Sequence, residues 1–380
     1  MNRRRLIVAF LPWLALLSAP ARAAEPGADD VAKRLAPFFR PPPELANDLG
    51  NYTSPLKFYD RTPVKTPADW PKRRREILDT WHKFLGPWPD LIAKPKVEYL
   101  EKERREKVTQ HHVRLEVAPG RTRDAYLLLP DGAGPFPAVL VVYYDAKTGI
   151  GRGTQPLRDF AWQLARRGFV TLSVGSDPAS YYPDKANTRL QPLSFHAYVA
   201  ANCYNALANL PQVDAKRVGV VGHSYGGKWA MFASCLFDKF ACAAWSDPGI
   251  VFDEKRPNVN YWEPWYLGHE RGRERKRGVV TKDNPRTGPY KRLVELGHDL
   301  HELHALMAPR PFLVSGGAED RPERWQALNH AVAVNKFLGH TGRVAMTNRK
   351  GHAPTAESNE QMYLFFELFL KPGKANAADR

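Results

Sequence analysis

The stretch VGVVGHSYGGKWA, residues 218–230, decides how this chain is read. A run of valines of the kind that fills a buried strand breaks off at Gly222. Ser224 follows, flanked by Gly222, Gly226 and Gly227, and a helix-forming segment begins at once. Gly-x-Ser-x-Gly on a sharp strand-to-helix turn exposes a serine hydroxyl at the C-terminal edge of a sheet. Small neighbours let strand and helix approach closely there. Ligands bind at that edge in open α/β folds, and the following helix turns its positive end toward any oxyanion formed on it. Ser224 is the candidate nucleophile.

The flanking sequence supplies the sheet this turn requires. From Pro135 onward, continuous apolar runs alternate with amphipathic helices: FPAVLVVYYD, LRDFAWQLARRG, FVTLSVG, FHAYVAANCYNALANL, RVGVVGHS, GGKWAMFASCLF and FACAAWSD. RPFLVSGGAED, GRVAMTN and a last helix near Glu357 to Phe369 complete the series. Fully apolar strands between helices predict a mostly parallel sheet covered on both faces, an α/β domain over residues 111–371. Before it, KVEYLEKE, VTQHHVRLEVA and RDAYLLLP alternate like antiparallel strands, with a turn at Pro119-Gly120. Residues 24–110 are rich in proline and tryptophan and too poor in apolar residues for a core of their own. They read as an extension packed on the main domain, with a helix from Pro71 to Leu85 that gathers Ile77, Trp81 and Leu85 on one face. A polar tail, 372–380, closes the chain.

Residues 1–23, MNRRRLIVAFLPWLALLSAPARA, have three leading arginines, a short apolar run and Ala-Arg-Ala, the layout of a cleaved secretory signal. That run is too short to span a bilayer comfortably, so an exported protein, periplasmic or secreted and without a membrane anchor, is expected. Cys203, Cys235 and Cys242 sit in apolar surroundings and read as core thiols, not as a disulfide framework. Net charge is +16, and +12 once residues 1–23 with their four arginines are set aside. Such a balance favours acidic partners; export disfavours nucleic acid and leaves an acidic polysaccharide.

A serine nucleophile needs a base and an orienting acid, which in this arrangement come later in the chain with histidine last. His352, between the final strand and the final helix, is the candidate base. Two aspartates compete for the acid: Asp320, after the penultimate strand, and Asp247, after the strand that follows the nucleophile helix. Position favours Asp320 narrowly, and Glu319 is a weaker third. The backbone N–H of Tyr225, with one near Tyr144, would form the oxyanion hole. His298, His301 and His304 fall on a predicted helix at a spacing of three, which spreads them around a turn. Packing or capping suits them better than zinc, and no metal or cofactor is expected.

With these residues in place, GHSYGGKWA, APRPFLVSGGAEDR and KGHAPTAE resemble the glucuronoyl esterases (carbohydrate esterase family 15) and related carbohydrate esterases of the α/β-hydrolase superfamily. The resemblance covers roughly residues 110 to 370. Those enzymes carry Gly-Cys-Ser-Arg-x-Gly-Lys at the elbow; Ser224, Gly227 and Lys228 match it, whereas Tyr225 replaces an arginine of their oxyanion hole. Their acid commonly lies as far beyond the serine as Asp247 lies beyond Ser224, and a later carboxylate, matching Asp320, also occurs. Bacterial pectin methylesterases of α/β-hydrolase type are the other analogue.

Residues 248–297 read as an insertion between core strands. From Arg271 to Arg292 it holds nine Lys or Arg against two acids, preceded by Tyr261, Trp262, Trp265 and Tyr266. Flat aromatic faces suit sugar rings and the cations suit carboxylates; a lipase lid would be apolar. Lys228, Trp262 and Trp265 are therefore candidate substrate contacts, although the same loop could simply be a solvated surface with its tryptophans on the core. The expectation is an exported serine esterase acting on methyl or alkyl esters of uronic acids, of pectin or glucuronoyl type. An acetyl xylan esterase, a prolyl oligopeptidase-type serine peptidase and a non-catalytic carbohydrate-binding protein are the alternatives. No internal repeat that would build the propeller of such a peptidase is present, and a binding module has no need of an intact Ser, His and Asp set.

Overall fold

Each valine-rich run places alternate side chains on opposite faces, so a strand can be apolar throughout only if both faces are covered. The computed structural model, which describes residues 28–176 and 181–371, shows that solution. Nine strands form one sheet: β1 (Val97–Arg105), β2 (Val108–Ala118), β3 (Arg121–Pro130), β4 (Phe136–Tyr143), β5 (Val170–Gly175), β6 (Val213–His223), β7 (Cys242–Ser246), β8 (Phe312–Gly316) and β9 (Val344–Asn348). Their order is β1-β2-β3-β5-β4-β6-β7-β8-β9. The β1–β2, β2–β3 and β3–β5 pairings are antiparallel, and every pairing from β5 through β9 is parallel.

Among the described residues ten α-helices accompany the sheet: α1 (Ala28–Leu35), α2 (Trp70–Leu85), α3 (Ala146–Gly149), α4 (Phe160–Arg166), α5 (Pro192–Ala208), α6 (Tyr225–Leu236), α7 (Gly288–Glu295), α8 (His301–Ala305), α9 (Trp325–Phe337) and α10 (Ala356–Leu370). On β4, Ala138, Leu140 and Val142 point into the core shared with α2, α5, α6, α8 and α9. Val139 and Val141, between them, point into the core shared with α1, α4 and α10. The two-layer covering foreseen from the apolar runs is what the chain builds, an α/β-hydrolase-type fold.

The N-terminal segment departs from its expected boundary. Its amphipathic helix is α2, with Ile77, Trp81 and Leu85 buried, but β1 and the start of β2 lie before residue 110 and belong to the sheet. A low apolar content rules out a separate core without ruling out an edge strand, and β1, VEYLEKERR, carries the charges that keep an edge from pairing further. The Trp81 indole donates to the buried Glu302 carboxylate at 2.9 Å, tying α2 to α8. Residues 1–23 and 372–380, read as signal and tail, lie outside the described residues. Among the described residues no helix is long and apolar enough to cross a membrane. Cys203, Cys235 and Cys242 are free and buried, and burial pushes the Cys203 and Cys235 thiols up to about 12.

Candidate active site

The glycines around Ser224 are there because nothing larger fits. A Cβ on Gly222 would sit 2.1 Å from the Gly226 carbonyl oxygen, and one on Gly226 would sit 2.1 Å from that of Val142. Strand β6 and helix α6 can therefore meet at a single residue, and Ser224 takes the bend with φ 56° and ψ −113°. A non-glycine residue held in such a region stores about 1–3 kcal/mol and persists only where its surroundings fix it. Here the Ser224 N–H donates to the Ser246 carbonyl at 2.7 Å.

His352 reaches this serine from the loop after β9. Its Nε2 lies 2.8 Å from Ser224 Oγ, and its Nδ1 lies 2.6 Å from Asp247 Oδ2. The carboxylate against the imidazole is thus Asp247, not Asp320, which the sequence favoured. Asp247 adopts φ 49° at the end of β7, and its Oδ1 accepts N–H bonds from Gly317 at 2.8 Å and Asp320 at 2.9 Å. Asp320 turns away: its carboxylate is fully buried and accepts from the N–H groups of Gly249 at 2.8 Å and Ile250 at 2.6 Å. Burial, and then the neighbouring Asp247 charge, raise the Asp320 carboxyl to about 6. Glu319 is also spoken for, accepting from the Asn258 amide at 3.0 Å.

Two residues of the site escaped the sequence reading. Arg349, just past β9, donates to the carbonyls of Ser315 at 2.8 Å, Ala353 at 2.8 Å and His352 at 2.7 Å, clamping the loop that carries the imidazole. His223 packs its ring 4.8 Å from that of His352 and places Nδ1 3.0 Å from Ser246 Oγ. Burial, followed by the His352 and Arg349 charges, holds His223 well below the usual imidazole range. It stays neutral beside the base. The only signals were a histidine inside the elbow and an arginine just before the base.

Tyr225 is the first residue of α6, with its ring buried and its hydroxyl on His196 Nε2. Tyr144 is 51% exposed and stacks on Tyr225 at 4.8 Å. Burial raises the Tyr144 phenol, while Ser224 and the Arg277 charge oppose the rise. Arg277 is exposed and its guanidinium lies 5.9 Å from the centre of the half-buried Trp265 ring. Tyr144 thus stands against the first residue of the nucleophile helix, and the Arg277 charge acts on it.

The other two expected substrate contacts are internal. Lys228 is 2% exposed, with Nζ on the carbonyls of Pro248 and Asn258 and 4.8 Å above the Tyr261 ring. Burial lowers it to about 8. One turn into α6 its side chain points along the helix flank under the insertion, so it fastens that segment instead of facing the cleft. Trp262 is fully buried and its indole donates to the Gly278 carbonyl at 2.7 Å. The three histidines of the predicted helix diverge: His298 Nδ1 meets Glu302 at 2.9 Å, His301 Nε2 meets the Thr53 carbonyl at 2.7 Å, and His304 is buried beside Trp245. Among the described residues no group of three His, Cys, Asp or Glu is placed to hold a metal.

The model of the prolyl oligopeptidase family matches residues 199–371, just under half the chain and the part holding Ser224, Asp247 and His352. Acyl-coenzyme A thioesterase 3 of Mus musculus is 33% identical over 131 residues, 34% of this chain. The chain spans about a quarter of that relative's length, 27%. Among solved structures, a glucuronoyl esterase from Solibacter usitatus superposes with a TM-score of 0.66 at 20% identity, covering 86% of this chain and 99% of that one. A CE15 glucuronoyl esterase from Teredinibacter turnerae gives 0.62 at 18% identity, covering 84% and 89%. The chain has the α/β-hydrolase fold and, in the arrangement of that fold, is similar to the CE15 glucuronoyl esterases.

Proposed function

We propose that the protein is an exported serine esterase that hydrolyses alkyl esters of uronic acids, methyl esters above all, in acidic polysaccharides. The observation that carries the reading is the hydrogen-bonded series from Ser224 through His352 to Asp247.

In this reading the His352 Nδ1–H is donated to Asp247, which leaves Nε2 free to accept. Ser224 Oγ attacks the ester carbonyl as its proton passes to Nε2, and the negative charge gathers on the carbonyl oxygen. The Tyr225 N–H at the start of α6, with one near Tyr144, takes that charge. Collapse expels the alcohol with the proton from Nε2, leaving an acyl-serine. Water then gives a proton to Nε2 and attacks the acyl carbon, and collapse returns that proton to Ser224 Oγ as the uronic acid leaves.

Substrate class rests on charge and on the neighbours. A uronate ester is neutral but sits in a chain of free carboxylates, and the exposed Arg277, whose charge acts on Tyr144, is a cation suited to them. The net charge of +12 without residues 1–23 acts in the same direction. The glucuronoyl esterases that share the fold are named for an ester of this kind. Export follows from the signal-like residues 1–23. The test is an ester panel scored separately for methanol and acetate, with partly methylated pectin, a methyl glucuronate ester and acetylated xylan. Methanol from the uronate esters is expected. Acetate from xylan with no methanol from any uronate ester would replace this reading with an acetyl esterase, and cleavage of peptide amides alone would replace it with a peptidase.

A further inference from the structure

A second cleft, of about 570 Å3, lies where the end of α2, the segment before α5, the insertion and the start of α7 converge. Five cations line it: Lys83, Arg189, Arg271, Lys291 and Arg292. Two carboxylates oppose them, and both are engaged. Glu270 accepts from the Gly288 N–H at 3.1 Å and lies 3.8 Å from Arg273, while Glu295 lies 3.9 Å from Lys291. Among the described residues no carboxylate is within ion-pair distance of Lys83, Arg189 or Arg271, and all three are exposed. Arg292 lies over the Phe84 ring at 5.5 Å, which gives the cleft an apolar face.

The walls are fixed backbone to backbone. Gly86, with φ 91°, ends α2 so close to the next wall that a Cβ would sit 2.0 Å from the Arg189 carbonyl. The Gln191 N–H donates to the Leu85 carbonyl at 2.8 Å, and the Gln191 amide donates to the His269 carbonyl at 3.1 Å. A Cβ on Gly288 would in turn sit 2.4 Å from that carbonyl. Three regions far apart in sequence, the end of α2, the segment before α5 and the insertion, are thereby locked into one preformed basic cleft. Like charges gathered in one cleft repel unless an anion neutralises them.

The cleft shares an edge with the nucleophile. Helix α5 starts after β5 as α6 starts after β6, so both N-termini lie at the C-terminal edge of the sheet. The Leu193 N–H, one turn from the cleft, donates to the Tyr266 carbonyl at 3.3 Å, and the Tyr266 ring lies 5.7 Å from that of Tyr225. Yet no residue of the cleft touches Ser224, His352 or Asp247.

We infer that this cleft is an anchoring subsite for a run of free uronate carboxylates, holding a de-esterified stretch of the polysaccharide while Ser224 works on an ester elsewhere along it. The inference rests on the proposed substrate class. It makes the enzyme bind its own product stretch and act beside it on partly hydrolysed chains.

The probe is de-esterified polygalacturonate, which contains no scissile ester, titrated calorimetrically against the full chain at low salt. Reversing two cations of the cleft in K83E/R189E is expected to weaken binding at least about tenfold, because repulsion replaces attraction at contact distance. The control K102E/K107E makes the same change in net charge on β1 and the β1–β2 turn, outside the cleft, and is expected to change binding less than about twofold through screened long-range effects. Equal losses in both variants would reduce the effect to overall charge and overturn the subsite, as would no loss in K83E/R189E or no binding by the parent. Thermal melting of both variants checks that each is folded. Methanol release from a monomeric methyl glucuronate ester, measured alongside, separates the two claims. Turnover of that ester with cleft-independent polymer binding sinks the subsite alone; cleft-dependent binding with no turnover of any uronate ester sinks the catalytic reading alone.

Discussion

Asp247 and Asp320 exchange carboxylates across neighbouring strand ends. The Asp247 side chain accepts the backbone N–H of Asp320 at 2.9 Å, and the Asp320 side chain accepts the N–H groups of Gly249 and Ile250, which immediately follow the Asp247 loop. Each loop is shaped by the other's charge, but only Asp247 presents its second oxygen to His352.

The two aspartates should therefore separate cleanly by mutation. Asp247→Asn removes the acceptor that orients the imidazole and is expected to lower kcat by about 10⁴, the loss typical of this change in a triad. Asp320→Asn leaves the His352 contact standing and is expected to keep kcat within about tenfold. Rates on a simple aryl ester at neutral pH decide it. A reversed order would return the acid role to Asp320.

Sequence alone reached the fold because the periodicities are strong. The valines before Ser224 and the run FPAVLVVY admit little except buried strands, and Gly222 and Gly226 explain themselves once β6 and α6 are placed. Side-chain direction was the part that sequence withheld. Asp247 and Asp320 both end parallel strands, and only the curl of each loop, with φ 49° at Asp247, settles which one meets the histidine. Lys228 and Trp262 are residue types found equally in clefts and in cores. Their burial depends on how residues 248–297 fold back over α6, which no local pattern encodes. Arg349 acts through three backbone carbonyls, contacts that leave no mark in a one-dimensional pattern.

Lys228 is expected to behave as a structural lysine. Lys228→Met leaves the carbonyls of Pro248 and Asn258 without their donor, and a buried unsatisfied acceptor costs about 1–3 kcal/mol. Denaturant unfolding should show that loss. The ratio of KM values for a methyl uronate ester and a neutral aryl acetate should stay near that of the parent. A selective rise in KM for the uronate ester at unchanged stability would put Lys228 back in the substrate cleft.

Asp299 gives the protein a pH-dependent weakness. It lies in a cleft of about 1010 Å3 between the N-terminal segment and the insertion. Burial raises its carboxyl from 3.8 to about 7, against the opposing pull of the Phe252 and Leu300 N–H groups. The folded protein thus binds more protons than the unfolded one between those values, so this group's contribution to stability falls as pH rises from 3.8 to about 7. Both N–H groups donate to the same oxygen, Oδ1, at 2.9 and 2.6 Å, which an asparagine can retain. Asp299→Asn should therefore gain in Tm over the parent as pH is raised from about 5 to 8, the span across which the buried group ionises. A difference constant across that range would show that the carboxyl is not shifted.

The most direct test of the central claim, that Ser224 is an esterase nucleophile activated by His352, is covalent labelling with a fluorophosphonate followed by peptide mapping. The reagent should modify one serine stoichiometrically, on the peptide containing Ser224, with parallel loss of methanol release from a uronate ester. Ser224→Ala should take up no label and should lose about six orders of magnitude in kcat. Labelling at another serine, or methanol release that survives either the reagent or Ser224→Ala, would contradict the account.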